Sequence, residues 1–458
     1  MIKAAWILAG TALVGTAPAL AQTTAAVPVK AAASPTVKAT SSVPTPATVA
    51  QDTGNTTVSA PAPVAAAVVD EPTLTWTSKD AEALLATIKG IDAEGLIPAD
   101  YQPKELAAAI LAGEGDALNA QASKSMSWLI EDMRDGRTRM AGRKGWFVVD
   151  PDVDANPTNQ VMAKALAAHD VPGSIAALAP TNPDYAALKT ALASAKPGKA
   201  RDLIRVNMDR WRWLGRDLGK FYLITNVPEY QLRLTVGNSI IRSYRTIVGK
   251  PGKTATPSLA ETVQGVIFNP TWTVPQSIVK GEGLGARLIA NPRQAAREGY
   301  KATKNADGTI TVVQQPGPNN SLGLLKLDMP NEHAIFIHDT PNRNLFNLES
   351  RALSHGCVRT ERAQELGMTM AMLGAGMKPE EGVANATSGK YTKVPMTKTF
   401  PVYITYFTYA TDVAGKMRAF NDLYDRDTPV LAAFAAPRAP WDGQRKTTEA
   451  VVKLDNPI

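Results

Sequence analysis

The feature that most constrains this chain is a change of hydrophobic period along its length. From Thr77 apolar residues recur at helical spacing: Leu84, Leu85 and Ile88, then Leu106, Ile110 and Leu111, then Trp128, Leu129 and Met133 before Gly136. Thr77 or Ser78 can cap the first of these helices, and Val161 to Ala168 and Tyr185 to Ala195 continue the pattern. Near Arg201 the period becomes alternating. Phe221 to Thr225 and Tyr230 to Val236 read as strands, and Gly237-Asn238 fits a two-residue hairpin turn into Ser239 to Val248. Further strands are expected at Gly265–Phe268, Thr309–Val313, Ala334–Ile337 and Pro401–Thr408. One chain that changes period once predicts an α+β protein: a helical domain over 71–200, then an antiparallel β-rich domain over 201–427. A long interruption over about 274–320, with a helical patch at Pro292–Glu298, is the kind of segment that serves as a functional lid or stays disordered.

The ends differ in texture. Lys3 followed by an apolar run from Ala4 to Val14 and a small-residue site at Ala19-Leu20-Ala21 predicts a cleaved secretory signal over 1–21. No other segment has the roughly 18 unbroken apolar residues of a membrane span. Residues 22–70 are rich in Ala, Pro, Thr and Val and poor in aromatics, so they are expected to form a disordered linker. Residues 428–458, again rich in Ala and Pro, are expected to be irregular. The net charge of +7 is spread along the chain rather than gathered in a block. In an exported protein that argues against nucleic acid, and it suits an anionic polymer or surface as well as it suits simple solubility.

Chemistry concentrates at the one cysteine, in Ser354-His355-Gly356-Cys357-Val358-Arg359. An exported lone thiol cannot pair within its chain, which leaves an inter-chain bridge, an inert buried thiol or a nucleophile. A helix predicted to start at Thr360, with Ala363, Leu366, Met370 and Leu373 at its spacing, would place a favourable dipole behind Cys357. Backbone N–H groups at Gly356 and Cys357 could hold an oxyanion. Arg359, two residues on in an extended segment, would share a face with the thiol and could bind a carboxylate. His338, ending an apolar strand, is the better candidate base, while His355 would orient the loop or contact substrate. His333 is expected to be exposed, and His169 to be a surface or capping residue. A zinc site of Cys357 and histidines would need Asp339 as its fourth ligand, and a three-ligand catalytic zinc stays open beside the inert thiol.

The motif with its upstream histidine resembles the signature of the YkuD-type L,D-transpeptidases of bacterial cell walls. Asn207 to Trp213, Asn269-Pro270-Thr271-Trp272, Pro316-Gly317-Pro318, His338-Asp339-Thr340-Pro341, Leu345-Phe346, Arg351-Ala352-Leu353 and Pro401 to Tyr406 resemble the larger, periplasmic YcbB-like branch. The resemblance covers roughly 77–427. It implies a helical scaffold, a β-rich catalytic core and a capping subdomain near 274–320. It implies Cys357 as nucleophile and His338 as general base and acid, with a backbone carbonyl orienting the histidine. Arg359, Ser354 and His355 match positions that shape the substrate site, and Trp272 matches the root of the capping segment, where a core aromatic is an equal reading. Peptidoglycan stem peptides are then donor and acceptor, no metal or organic cofactor is needed, and carbapenems are expected inhibitors. Larger members often insert a peptidoglycan-binding domain between scaffold and core, but here Leu192 to Gly198 leads almost directly into the core. The link could be 3,3, from the third stem residue, or 1,3, from the first. Hydrolysis as a carboxypeptidase, exchange of D-amino acids, and a non-catalytic wall-binding scaffold are the alternatives.

Overall fold

The computed structural model describes residues 74–451. The expected signal segment and linker lie outside the described residues. The helical part comprises α1 (Ser78–Gly90), α2 (Pro103–Ala112), α3 (Asp116–Asp135), α4 (Asp152–Ala155), α5 (Thr158–Ala168), α6 (Val171–Ala176), α7 (Pro183–Ser194) and α8 (Lys199–Trp211). Thr77 caps α1, its hydroxyl accepting from the Asp80 N–H at 3.1 Å. Along α3, Leu118, Ala122, Met126, Leu129 and Met133 are fully buried at spacings of three and four, and they share a core with Trp76, Leu84, Ile88 and Leu106. Gly136 ends α3 with φ +87.

Helix α8 differs from the sequence expectation, which placed the change of period near Arg201. Ile204, Val206 and Met208 alternate with polar residues and so imitate a strand, but Asn207, Asp209 and Arg210 are buried as well. The helix is enclosed on nearly all sides, and its polar groups join the helical part to the β part. Asn207 Oδ1 accepts from the Thr408 N–H at 2.8 Å. Asp209 accepts from the N–H groups of Arg137 and Thr138, and Arg210 pairs with Asp427 at 2.6 Å. Chain passes from α7 to α8 through only Ala195–Gly198, with no domain inserted between them.

The β part begins with β1 (Phe221–Asn226), β2 (Gln231–Val236), β3 (Ser239–Gly249) and β4 (Leu259–Phe268). A small subdomain follows: β5 (Trp272–Thr273), α9 (Gln276–Gly281), α10 (Leu284–Ala290), α11 (Pro292–Arg297), β6 (Tyr300–Lys304) and β7 (Ile310–Gln314). Its three strands form their own sheet over a core of Val274, Val279, Leu288, Ala295 and Val312. The chain then returns through β8 (Leu325–Asp328), β9 (Ile337–His338), β10 (Ala352–Ser354), β11 (Val358–Thr360), α12 (Ala363–Ala375), α13 (Pro379–Thr387), β12 (Thr392–Thr405), β13 (Tyr409–Thr411), β14 (Met417–Ala419) and α14 (Asp427–Ala435). The main sheet has the order β10-β3-β11-β9-β8-β4-β12-β1-β2, and β2 also pairs with β3, so the sheet curls back on itself. Most pairings are antiparallel, while β1–β12, β10–β3 and β11–β9 are parallel. Gly237 and Asn238 both take positive φ, as the hairpin turn between β2 and β3 requires. One face of the sheet packs Leu325, Leu327, Ile337 and Val358 with Leu366 and Met370 of α12.

Three further expectations change. The apolar run Ala334–Ile337 is a strand only at Ile337–His338. The Asn331 side chain bonds Met329 O, Ile335 O and the Ile335 N–H, and the resulting turn holds Ala334 at φ +50. The helix expected from Thr360 starts at Ala363, because Val358–Thr360 are used by β11. The Ala/Pro-rich tail is not wholly irregular: α14 packs Val430 into the core, and Arg438 beyond it is buried against Glu131 at 2.5 Å and Asp132 at 2.9 Å. Among the described residues no helix is long and apolar enough to cross a membrane.

Candidate active site

Cys357 lies in the short link between β10 and β11, and both strands are pinned to β3. The link is tied internally. Ser354 Oγ donates to Cys357 O at 2.6 Å and accepts from the Gly356 N–H at 3.1 Å. Gly356 O accepts from Thr256 Oγ1 at 2.7 Å, and that hydroxyl accepts from the Gly249 N–H at 2.8 Å. Gly356 holds φ +119, and a Cβ there would stand 3.0 Å from Ile335 Cδ1, so only glycine makes this turn without strain.

Sheet register decides which side chains meet. On parallel strands β9 and β11, His338 pairs with Arg359 and Ile337 with Val358. On antiparallel β8 and β9, Lys326 pairs with His338. Paired residues point to the same face and neighbours along a strand to opposite faces. Lys326, His338 and Arg359 therefore form one row, with Cys357 two residues before Arg359 on the same face and level with Phe336. The half-buried thiol donates to Ala334 O at 3.7 Å.

Burial is the first electrostatic influence here. It pushes the Cys357 thiol up, while the Phe336 N–H and the charges of Lys326 and Arg359 act to lower it. No helix dipole assists, since β11 separates the cysteine from α12. Burial, with the charge of Arg359, lowers His338 to about 3, so the imidazole is neutral. Its Nδ1 lies 2.5 Å from Asp339 O. A carbonyl can only accept, so the proton of the neutral ring sits on Nδ1 toward Asp339 O, and Nε2 is the nitrogen open to act as a base, with the Leu322 carbonyl also acting on the ring. Arg359 is half-buried, and its buried Nε has no hydrogen-bond partner among the described residues.

The remaining candidates divide. His355 is exposed and, with Gly356, Lys253, Thr254, Phe147 and His333, lines a cavity of about 300 Å³ beside the cysteine loop. His333 is buried, contrary to expectation, because the ring of Phe147 packs edge-on to it at 4.2 Å. His169 caps α5 with an exposed side chain 2.9 Å from Asp80. The Gly356 N–H, expected to face an oxyanion, is occupied by Ser354, whereas the Cys357 N–H has no hydrogen-bond partner among the described residues. Trp272 packs half-buried on the core of the small subdomain. Asp339 is committed to the Leu324 N–H and Arg343, and among the described residues no group of three His, Cys, Asp or Glu could hold a metal. Lys326 escaped the sequence reading, since Leu325-Lys326-Leu327 shows only ordinary strand alternation.

A thiol and a neutral histidine on one sheet face, flanked by a buried lysine and a half-buried arginine, form a site suited to nucleophilic chemistry on anionic substrates. Comparison with known proteins agrees with that class. Residues 220–371 match the family model described as YkuD, L,D-transpeptidase catalytic domain, and residues 70–192 match the model described as Scaffold domain. The chain carries a YkuD L,D-transpeptidase catalytic domain behind a Scaffold domain. It is 29% identical over 226 residues to a "Putative L,D-transpeptidase" of Haemophilus influenzae, an overlap of 46% of this chain and 45% of the relative. The matched region thus spans about half the length of that curated relative. Similar solved structures include the Ldtfm–avibactam carbamoyl enzyme (15% identity, 41% of this chain and 49% of that one, TM-score 0.21) and an L,D-transpeptidase from Mycobacterium smegmatis (13% identity, 42% and 60%, TM-score 0.20).

Proposed function

We propose that this protein cross-links peptidoglycan stem peptides by acyl transfer through Cys357, in the manner of the YcbB-like branch, after export to the periplasm. The observation that carries the proposal is the shared face of Cys357 and His338, with Nδ1 of the histidine bound to a carbonyl. His338 Nε2 takes the thiol proton, and the thiolate attacks a stem carbonyl. A carbon–sulfur bond forms, the amide carbon–nitrogen bond breaks, and the amine leaves with the proton from His338. An acceptor amine then gives its proton to the same nitrogen, forms the new amide and expels the thiolate, which recovers the proton. The Cys357 N–H is the available oxyanion donor, and the Gly356 N–H could join it only by leaving Ser354. Arg359, with its unpartnered Nε, is suited to a substrate carboxylate. His355 lines the approach, Ser354 sets the turn, and the small subdomain around Trp272 serves as the cap.

Digestion of cross-linked product made by the pure enzyme, followed by sequencing of the dimers by mass spectrometry, tests this. Dimers joined 3,3 or 1,3 support transpeptidation and distinguish the two link types. Shortened or exchanged stems without dimers would replace cross-linking with carboxypeptidase or exchange activity. A folded protein that yields no product at all would favour a wall-binding scaffold.

A further inference from the structure

Beside the cysteine–histidine pair lies a charged group to which the mechanism above gives no task. Lys326, on β8, is 5% exposed. Its ammonium sits over the ring of Phe336 at 3.6 Å from the centroid. Phe336 is the residue level with Cys357 on the neighbouring strand, as the Val358 N–H to Phe336 O bond of 2.9 Å fixes. A buried lysine normally finds a carboxylate. The nearest acid in influence is Asp328, two residues along the same strand, and Asp328 is already paired with Lys393 at 2.7 Å. The charged and titratable groups acting on Lys326 are thus Cys357, Asp328 and Lys393, with His338 in register beside it and Arg359 one strand further. Of these, Cys357 is the one that can supply an unshared negative charge.

We propose that Lys326 is a positioning residue of this site: its ammonium, held on the Phe336 ring and with no carboxylate ion pair among the described residues, is the counter-cation of the Cys357 thiolate. The inference deepens the acyl-transfer reading and rests on it for its purpose. Burial disfavours both charged forms, raising the thiol and lowering Lys326 to about 8. Each charge relieves the other, so thiolate and ammonium are favoured together. His338 stays neutral between the two cations, so in the resting site the positive charge facing the thiol comes from Lys326 and Arg359. Because thiolate returns at the end of each acyl transfer, the same cation also favours its release from the thioester.

The test is the pH profile of Cys357 alkylation by iodoacetamide on the full chain, which needs no peptidoglycan. Lys326→Met keeps the length and packing of the side chain and removes its charge. Its profile is expected to move to higher pH, with alkylation at pH 7 about tenfold slower than in the parent. Lys326→Arg, which keeps the cation, is expected to stay near the parent. A Lys326→Met profile superimposable on the parent overturns the proposal. If Lys326→Met does not fold, lysine Nζ resonances are followed by NMR in the parent and in Cys357→Ala. The Lys326 titration is expected at lower pH in Cys357→Ala, and an unchanged titration overturns the proposal. A parent protein whose thiol resists alkylation at every pH would sink the nucleophile reading as well. A reactive parent with an unshifted variant would sink this inference alone.

Discussion

Thr256→Val probes how the cysteine loop is held without touching a reacting group. The Thr256 hydroxyl is fully buried and serves two backbone groups, donating to Gly356 O at 2.7 Å and accepting from the Gly249 N–H at 2.8 Å. Valine fills the same space but leaves both backbone groups unpaired. Each such loss costs about 1–3 kcal/mol, so about 2–6 kcal/mol is expected in all. In a thermal melt of a chain this long this corresponds to a fall on the order of 3–8 °C. Gly356 then has one restraint fewer, its N–H contact with Ser354 remaining. A displacement of the neighbouring Cys357 approaching 1 Å would slow its acylation by roughly ten- to a hundredfold. Thr256→Ser keeps the hydroxyl and is expected to retain most of both properties. Melting and acylation by a carbapenem, followed by intact mass, give the two readouts. If Thr256→Val melts and reacts as the parent does, the hydroxyl does not hold the loop and the reasoning fails.

Gly356→Ala is expected to cost on the order of 1–3 kcal/mol from its φ of +119 alone, and to reduce Cys357 acylation; an unchanged melt and rate would contradict the strain argument. His338→Gln tests the depressed pKa through linkage. Above about pH 6.5 neither state holds the proton, so the buried neutral ring contributes fully there. As pH falls from 6.5 toward 3 the unfolded chain binds a proton that the native ring refuses, and stability drops. Urea unfolding across that window is therefore expected to show a shallower acid loss in His338→Gln than in the parent, and parallel curves would refute the assignment. Arg438→Ala removes contacts to Glu131 and Asp132, and about 1–3 kcal/mol of stability is expected to go with it, since Arg139 still reaches Asp132 at 2.9 Å. An unaltered melt would mean that the tail's docking contributes nothing to the fold.

The residues legible in the sequence were those whose placement depends on near neighbours. The helical repeat of α1 to α3, the Gly237-Asn238 turn and the Ser354-to-Arg359 motif all declare themselves within a few positions. What was hidden depended on distant pairing. Lys326 reaches the site only because β8 pairs with β9 in the register that sets it against His338. His333 is buried by Phe147, a residue of the helical half. In α8, Ile204, Val206 and Met208 alternate like a strand, and only the partners of Asn207, Asp209 and Arg210 explain a helix there. The segment after Cys357 carries helical spacing, yet pairing with β9 and β3 claims its first three residues as strand. That pairing removes the helix dipole as a source of thiolate stabilisation, the task proposed above for Lys326.

Acyl transfer through Cys357 is tested most directly by peptide mapping after brief incubation of the enzyme with disaccharide-peptide donor and no acceptor. A stem acyl group in thioester linkage is expected on the Cys357 peptide, released by an added amine as a new cross-link. Cys357→Ala should show neither the adduct nor the cross-link while melting as the parent does. Cross-linked product from folded Cys357→Ala at the parent's rate would contradict the account.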